Sequence, residues 1–188
     1  QPQVALEEEP RAGAHRVTVQ QAFEAPIPTV PGLSDLVLVG VGGMGAVYRA
    51  VDDEAGALRA VKLLRLQPGS TSPTRRFRRE FNAVARLRHP GIVAVYRYGV
   101  CEAGEFIVME WVPGGDLWHV AGRRTRRDEG SRALPIAWVP PVIAVAAQVC
   151  NALSYLHAHR ILHRDLKPEN IFVDLAGRAR LVDFGIAK

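Results

Sequence analysis

The segment that most constrains this chain is His163-Arg164-Asp165-Leu166-Lys167-Pro168-Glu169-Asn170, followed thirteen residues after Asn170 by Asp183-Phe184-Gly185. The carboxylates of Asp165 and Asp183, the Lys167 ammonium group and the Asn170 carboxamide are thereby held in and just beyond one constrained loop. A carboxylate such as Asp165 can orient an attacking hydroxyl and accept its proton. The Asn170 amide and the Asp183 carboxylate offer oxygen ligands of the kind that hold Mg²⁺. A short strand between them would bring the second carboxylate back to the first loop. Structure alone is a poor account of both runs together.

A second constellation lies far upstream. Gly40-Val41-Gly42-Gly43-Met44-Gly45-Ala46-Val47 is a glycine loop. Glycine permits a tight turn and lets backbone N–H groups approach phosphate oxygens. Alone it also fits a plain glycine hairpin or a dinucleotide-binding turn. Here a strand rather than a helix is predicted to follow, and no ribose-binding acid sits at the expected distance. Next comes Ala60-Val61-Lys62. Strand periodicity puts Ala60 and Lys62 on one face, where a small residue leaves room for a flat base and the lysine reaches phosphates. Such an ammonium needs a counter-charge, and Glu80 in the following helix is the expected one. The plainer alternative is a surface lysine beside a surface glutamate.

Periodicity and breakers divide the chain. Residues 1–34 read as a flexible leader rich in Pro, Glu and Ala. Strands are predicted at Leu36–Val41, Ala46–Val51, Leu58–Leu64, Ile92–Tyr98 and Glu105–Glu110. Ser72-Pro73 is a helix start, with a capping hydroxyl before a proline at the first helical position. That helix would put Phe77, Phe81, Val84 and Leu87 on one side and stop near His89-Pro90. Val112-Pro113-Gly114-Gly115 is a breaker, and the boundary is placed there: 35–112 as a first lobe with its hinge, 113–188 as a partial second lobe. A short helix is expected from Asp116 to Ala121, then a polar excursion over 122–135. A long helix over Val142–His157 and short strands at Ile171–Val173 and Ala179–Val182 follow. The fold class is α+β, five strands and one main helix leading into a mainly helical second lobe.

Composition narrows the function. Hydrophobic residues make up 48% of the 188, enough for a folded core. Two cysteines, Cys101 and Cys150, give neither metal-ligand spacing nor a disulfide framework, which suits a reducing, cytoplasmic setting. A formal charge of +5 does not call for nucleic acid. The arginine clusters at 75–79 and 123–127 read as solvated surface. Lysine occurs only at 62, 167 and 188, so two of three fall inside the motifs above. The apolar run Ile136–Leu156 contains Pro140-Pro141, Gln148 and Asn151 and reads as a buried helix rather than a membrane span.

With these motifs in order, the chain resembles the eukaryotic-type Ser/Thr protein kinases over about residues 35–188, and most closely the bacterial members with a Gly-Gly-Met-Gly loop. The Arg-, Ala-, Val- and Gly-rich composition points to a GC-rich bacterial source. The resemblance implies a two-lobed kinase-like fold, ATP and Mg²⁺ (or Mn²⁺) as cofactors, and a protein substrate bearing Ser or Thr. It implies that residues 40–45 cover the ATP phosphates, with Lys62 on the α/β-phosphates and paired to Glu80. Asp165 becomes the catalytic base, Lys167 steadies the transferring phosphoryl group, and Asn170 and Asp183 hold metal. Val47 and Ala60 would roof the adenine and Phe172 would floor it. Met109 would sit at the back of the pocket, the Glu110 carbonyl and Val112 backbone would bond adenine, and Asp116 would reach the ribose. Phe184, His163, Val84 and Val95 would form an apolar column between the lobes.

The expected sequel to Lys188 in such a kinase is an activation segment and further helices. The chain is accordingly read as a fragment, starting at a residue that is not an initiator, impaired in transfer on its own. Its bare helix face invites self-association or a partner. The alternative reading is a nucleotide-binding, pseudokinase-like or regulatory fragment without transfer. A small-molecule kinase is a further rival. A membrane-anchored parent is compatible with a cytoplasmic domain.

Overall fold

The structure, a computed structural model, describes residues 26–42, 45–64, 81–82, 84–120 and 139–183. Five antiparallel strands form the first sheet: β1 (Leu33–Gly42), β2 (Gly45–Asp52), β3 (Ala57–Leu64), β4 (Val95–Cys101) and β5 (Gly104–Glu110). Their spatial order is β1-β2-β3-β5-β4. Alternation along each strand splits the side chains between two cores. Tyr48, Ala50, Val61, Phe106 and Val108 face one way and cluster with Val30 and Leu33. Ala60, Leu64, Val95, Ile107 and Met109 face the other, into a larger cluster that also takes in Val149, Ala152, Leu156, Ile171 and Leu181. That second face looks toward the functional residues.

The folded body begins before residue 35. Val30 is only 1% exposed and β1 opens at Leu33, so the end of the expected leader belongs to the sheet's outer core. Of the helix expected from Ser72, residues 81, 82 and 84 are described and are helical, and Val84 and Leu87 are buried. Ser72, Phe77 and Glu80 lie outside the described residues. The strand expected from Ile92 starts later, at Val95. Ile92 instead forms a parallel bridge to Leu181, and Val93 N–H donates to the Leu181 carbonyl at 3.0 Å. Both side chains are buried between the lobes, which is why their apolar character mimics a continuous strand.

The second lobe holds a three-stranded antiparallel sheet, β6 (Gly114–Asp116), β7 (Ile171–Asp174) and β8 (Ala179–Leu181), with one long helix, α1 (Val139–Ala158). The breaker residues Gly114 and Gly115 thus lie within a strand. Residues 117–120 are helical, and Asp116 Oδ1 caps them by accepting His119 N–H at 2.7 Å. Prolines 140 and 141 fall in the first turn of α1, where N–H groups have no helical acceptor anyway, so the helix starts ahead of the expected Val142. It buries Val149, Ala152 and Leu156, while Val142 and Ile143 are 50% and 61% exposed. The expectation of a buried helix therefore holds for one stripe only. By length and composition Pro141–Ala158 could also cross a membrane, which by itself decides nothing.

Polar contacts tie α1 to β8 and to the 88–91 loop of the first lobe. Gln148 Oε1 accepts Ala179 N–H at 2.9 Å. The Tyr155 hydroxyl accepts Arg88 N–H at 3.2 Å. His89 Nδ1 accepts Gly91 N–H at 3.0 Å, so the ring proton sits on Nε2 and donates to Asn151 Oδ1 at 3.1 Å.

Candidate active site

β3 carries Ala60 and Lys62 on the inward face, opposite Met109 and Ile107 of β5 and, for Lys62, Val47 of β2. Lys62 is 7% exposed, a burial an ammonium tolerates only with a counter-charge. The charge it meets is Asp183, with Nζ to Oδ2 at 2.7 Å. Glu80, the partner expected from sequence, is outside the described residues. So are Gly43, Met44, Phe184 and Gly185.

The loop before β7 is tied together from within. Asn170 is 5% exposed, and its Nδ2 donates both to the Asp165 carbonyl (2.8 Å) and to Asp165 Oδ2 (3.0 Å). Lys167 Nζ reaches the same Oδ2 at 3.0 Å. That bond to Asp165 holds the Lys167 ammonium above the usual lysine range. Pro168–Asn170 is a single 3₁₀ turn with proline at its start. Val182 N–H donates to the Asn170 carbonyl at 3.0 Å, which brings Asp183 back beside the loop. Arg164 and Asp183 adopt φ values of 60° and 57°, sparsely populated for residues with side chains. Each such position costs about 1–3 kcal/mol and is kept where surrounding contacts enforce it. His163, 3% exposed, supplies one such contact by donating from Nε2 to the Val182 carbonyl at 3.0 Å. Burial holds its imidazole below the ordinary value, against the opposing pull of that bond and of the Asp165 and Asp183 charges.

The glycine loop joins β1 to β2, and Gly42 pairs with Gly45 across the turn. Gly40 and Gly42 have nothing within 4 Å of an added Cβ. Their smallness therefore leaves open space rather than room for the protein itself. Met109 is buried at the end of β5 behind Ala60. Asp116, Phe172 and Arg180 form one cross-strand row on the second sheet.

One feature sequence reasoning did not foresee is the Glu110 side chain. Its Oε2 accepts Ala94 N–H at 3.2 Å and its Oε1 lies 3.5 Å from Arg180 Nη2. Arg180 carries no motif of its own, and only an acid and a base placed either side of the breaker hinted at the pair.

The donor set suits a hard cation. Asn170 Nδ2 is spent on Asp165, and those two bonds do not use its amide oxygen, a donor of the type hard cations take. Among the described residues no group of three or more His, Cys, Asp or Glu could hold a metal. Few protein oxygens plus water and phosphate is the coordination Mg²⁺ favours.

A sequence model of the protein kinase domain matches residues 33–188. The chain belongs to the protein kinase family. Among curated relatives, serine/threonine-protein kinase pkn3 of Myxococcus xanthus is 39% identical over 157 residues, which is 80% of this chain and 27% of that protein. PknA of Mycobacterium tuberculosis is also 39% identical over 157 residues, 80% of this chain and 34% of PknA. The crystal structure of the M. tuberculosis PknI kinase domain superposes with a TM-score of 0.68 at 33% identity, covering 85% of this chain and 62% of that one. The chain thus spans about a third or less of the length of these two curated relatives. Kinase membership explains the arrangement: a five-stranded sheet carrying the glycine loop and lysine stands over a second lobe carrying the carboxylates.

Proposed function

We propose that this chain carries the nucleotide site and transfer residues of a cytoplasmic kinase domain that passes the ATP γ-phosphoryl group to Ser or Thr hydroxyls of proteins. The observation that carries this reading is the 2.7 Å bond between Lys62 and Asp183, which joins the two motif sets across the cleft. The open backbone at Gly40 and Gly42 receives the phosphates, with Lys62 on their α/β side. Ala60, Val47 and Phe172 enclose the base, Met109 closes the back, and the Glu110 and Val112 backbones bond its edge. Asp116 reaches the ribose.

Asp165 orients the acceptor hydroxyl and takes its proton, and the Asn170 amide fixes that carboxylate's direction. Lys167, already beside Asp165, offsets the charge of the moving phosphoryl group. Mg²⁺, or Mn²⁺ in its place, would neutralise phosphate charge when bound, with Asn170 and Asp183 as its protein ligands. The remaining contribution is positioning, with no covalent enzyme intermediate.

Calorimetry with Mg-ATP on the chain, with Asp183→Ala as control, tests the site. Phosphate incorporation into a Ser/Thr peptide tests transfer. Binding that weakens by about 10-fold or more in the variant is expected. Equal binding by both would remove Asp183 from the site. Binding without incorporation would favour a nucleotide-binding module.

A further inference from the structure

Arg180 makes contacts that neither its strand nor the transfer chemistry requires. Its Nη2 lies 3.5 Å from Glu110 Oε1, and its Nη1 donates to the Pro90 carbonyl. Glu110 is held from its other side, because its Oε2 and its own N–H bond Ala94 at 3.2 and 2.8 Å. The two side chains are only 16% and 27% exposed, so their attraction is partly shielded from solvent. Next door in the sequence, Leu181 N–H donates to the Gly91 carbonyl at 2.8 Å. One guanidinium therefore joins β8, the Pro90 loop and the last residue of β5.

What β8 presents beside Arg180 gives that junction a purpose. Arg180 is the cross-strand partner of Phe172, and Phe172 is the partner of Asp116. Directly opposed residues share a face of the sheet. The clamp and the residue read as the floor of the adenine slot thus stand on the same short, hydrogen-bonded sheet. The edge of that slot, where the base would be hydrogen-bonded, is the backbone leaving Glu110.

We propose that Arg180 is a positioning residue for the nucleobase. By gripping Glu110 it fixes where the connecting backbone runs relative to Phe172, and so the position in which a purine's edge is bonded above that floor. The idea rests on the ATP-site reading above and adds the device that sets its base-binding half. A planar guanidinium can meet two acceptors at once, whereas an ammonium on a flexible stem holds one geometry poorly.

The test compares adenosine, which needs the slot, with Mg-tripolyphosphate, which needs only the phosphate side. Arg180→Met, Arg180→Lys, Glu110→Gln and the Arg180→Met/Glu110→Gln double variant are titrated by calorimetry beside the unaltered chain. Arg180→Met should weaken adenosine by about 10-fold while leaving tripolyphosphate unchanged. Glu110→Gln should do less, Arg180→Lys should fall between, and the double variant should match Arg180→Met because the contact is shared. Unchanged adenosine affinity in Arg180→Met overturns the proposal, as does a parallel loss of both ligands, the mark of a general structural role. Should Arg180→Met not fold, Glu110→Gln and Arg180→Lys decide by the same ratio. If the unaltered chain binds tripolyphosphate and no adenosine, the ATP-site reading itself fails; if it binds both and the ratio never moves, only Arg180's role does.

Discussion

Glycines of the same loop should answer to mutation in opposite ways. Gly45 has φ of 142°, and an added Cβ would stand 1.9 Å from the Leu63 carbonyl oxygen. That oxygen is backbone of β3, held in the middle of the sheet, where Gly45 pairs with Leu64. The alanine variant must leave a conformation open essentially to glycine alone, at about 2 kcal/mol. It must also push β2 and β3 apart, at about 2 kcal/mol more. A loss of roughly 4 kcal/mol corresponds to a melting point lower by about 10 °C for a domain of this size. Gly40 shows no neighbour within 4 Å of its Cβ position and is outside the positive-φ region. Gly40→Ala should therefore keep its melting point or gain up to about 2 °C, because the unfolded chain loses freedom. Its methyl would occupy space read as the phosphates', so the stabilisation conferred by Mg-ATP should shrink. Thermal unfolding by circular dichroism, with and without Mg-ATP, measures both. If Gly45→Ala melts within about 2 °C of the parent, the steric argument is wrong. If Gly40→Ala loses as much as Gly45→Ala, the division of labour is wrong.

Lys62→Met should reduce phosphate incorporation by about 100-fold or more, since it removes the charge on the phosphates and strands Asp183; activity near that of the parent would sink the assignment. Asp165→Asn should lower turnover by about 100- to 10,000-fold with Mg-ATP affinity little changed, a split that separates proton transfer from binding. Asp174 accepts Ala176 N–H at 2.8 Å and Arg178 N–H and Nε at 2.9 and 2.8 Å, so Asp174→Asn should cost about 2 kcal/mol in urea unfolding without altering nucleotide affinity. His163 has its folded-state pKa lowered by burial, so the unfolded chain takes up the proton first as pH falls below about 6.5. Stability attributable to His163 is complete above that pH and declines below it until the folded ring also protonates. His163→Phe should flatten the urea midpoint between pH 7.5 and 5.5, and an unchanged slope would refute it.

Much of this was legible because charge and period coincide. Alternation alone placed Ala60 and Lys62 on one face, and that face is the one turned to Asp183. The spacing of Asp165, Asn170 and Asp183 works because the intervening pair of strands returns the chain through the Val182–Asn170 bond. Less was visible where an apolar residue serves a different neighbour from the one its run suggests. Ile92 and Val93 look like the start of β4 yet pair with β8. Val30 looks like leader yet fills the outer core. The Glu110–Arg180 contact spans seventy residues, and Arg180 belongs to none of the motifs that the sequence shows.

The bridge between residues 91–93 and Leu181 also bears on how the molecule comes apart. The larger apolar cluster draws Ala60, Leu64 and Met109 from ahead of the glycine breaker and Val149, Leu156 and Leu181 from beyond it. A chain cut at the breaker would keep the outer core of the first sheet but leave the larger cluster open in both halves. Heating should melt both lobes in a single cooperative step, with amides of β3 and β8 exchanging their hydrogens through the same global opening. What the sequence divides as two modules is thus expected to unfold as one unit.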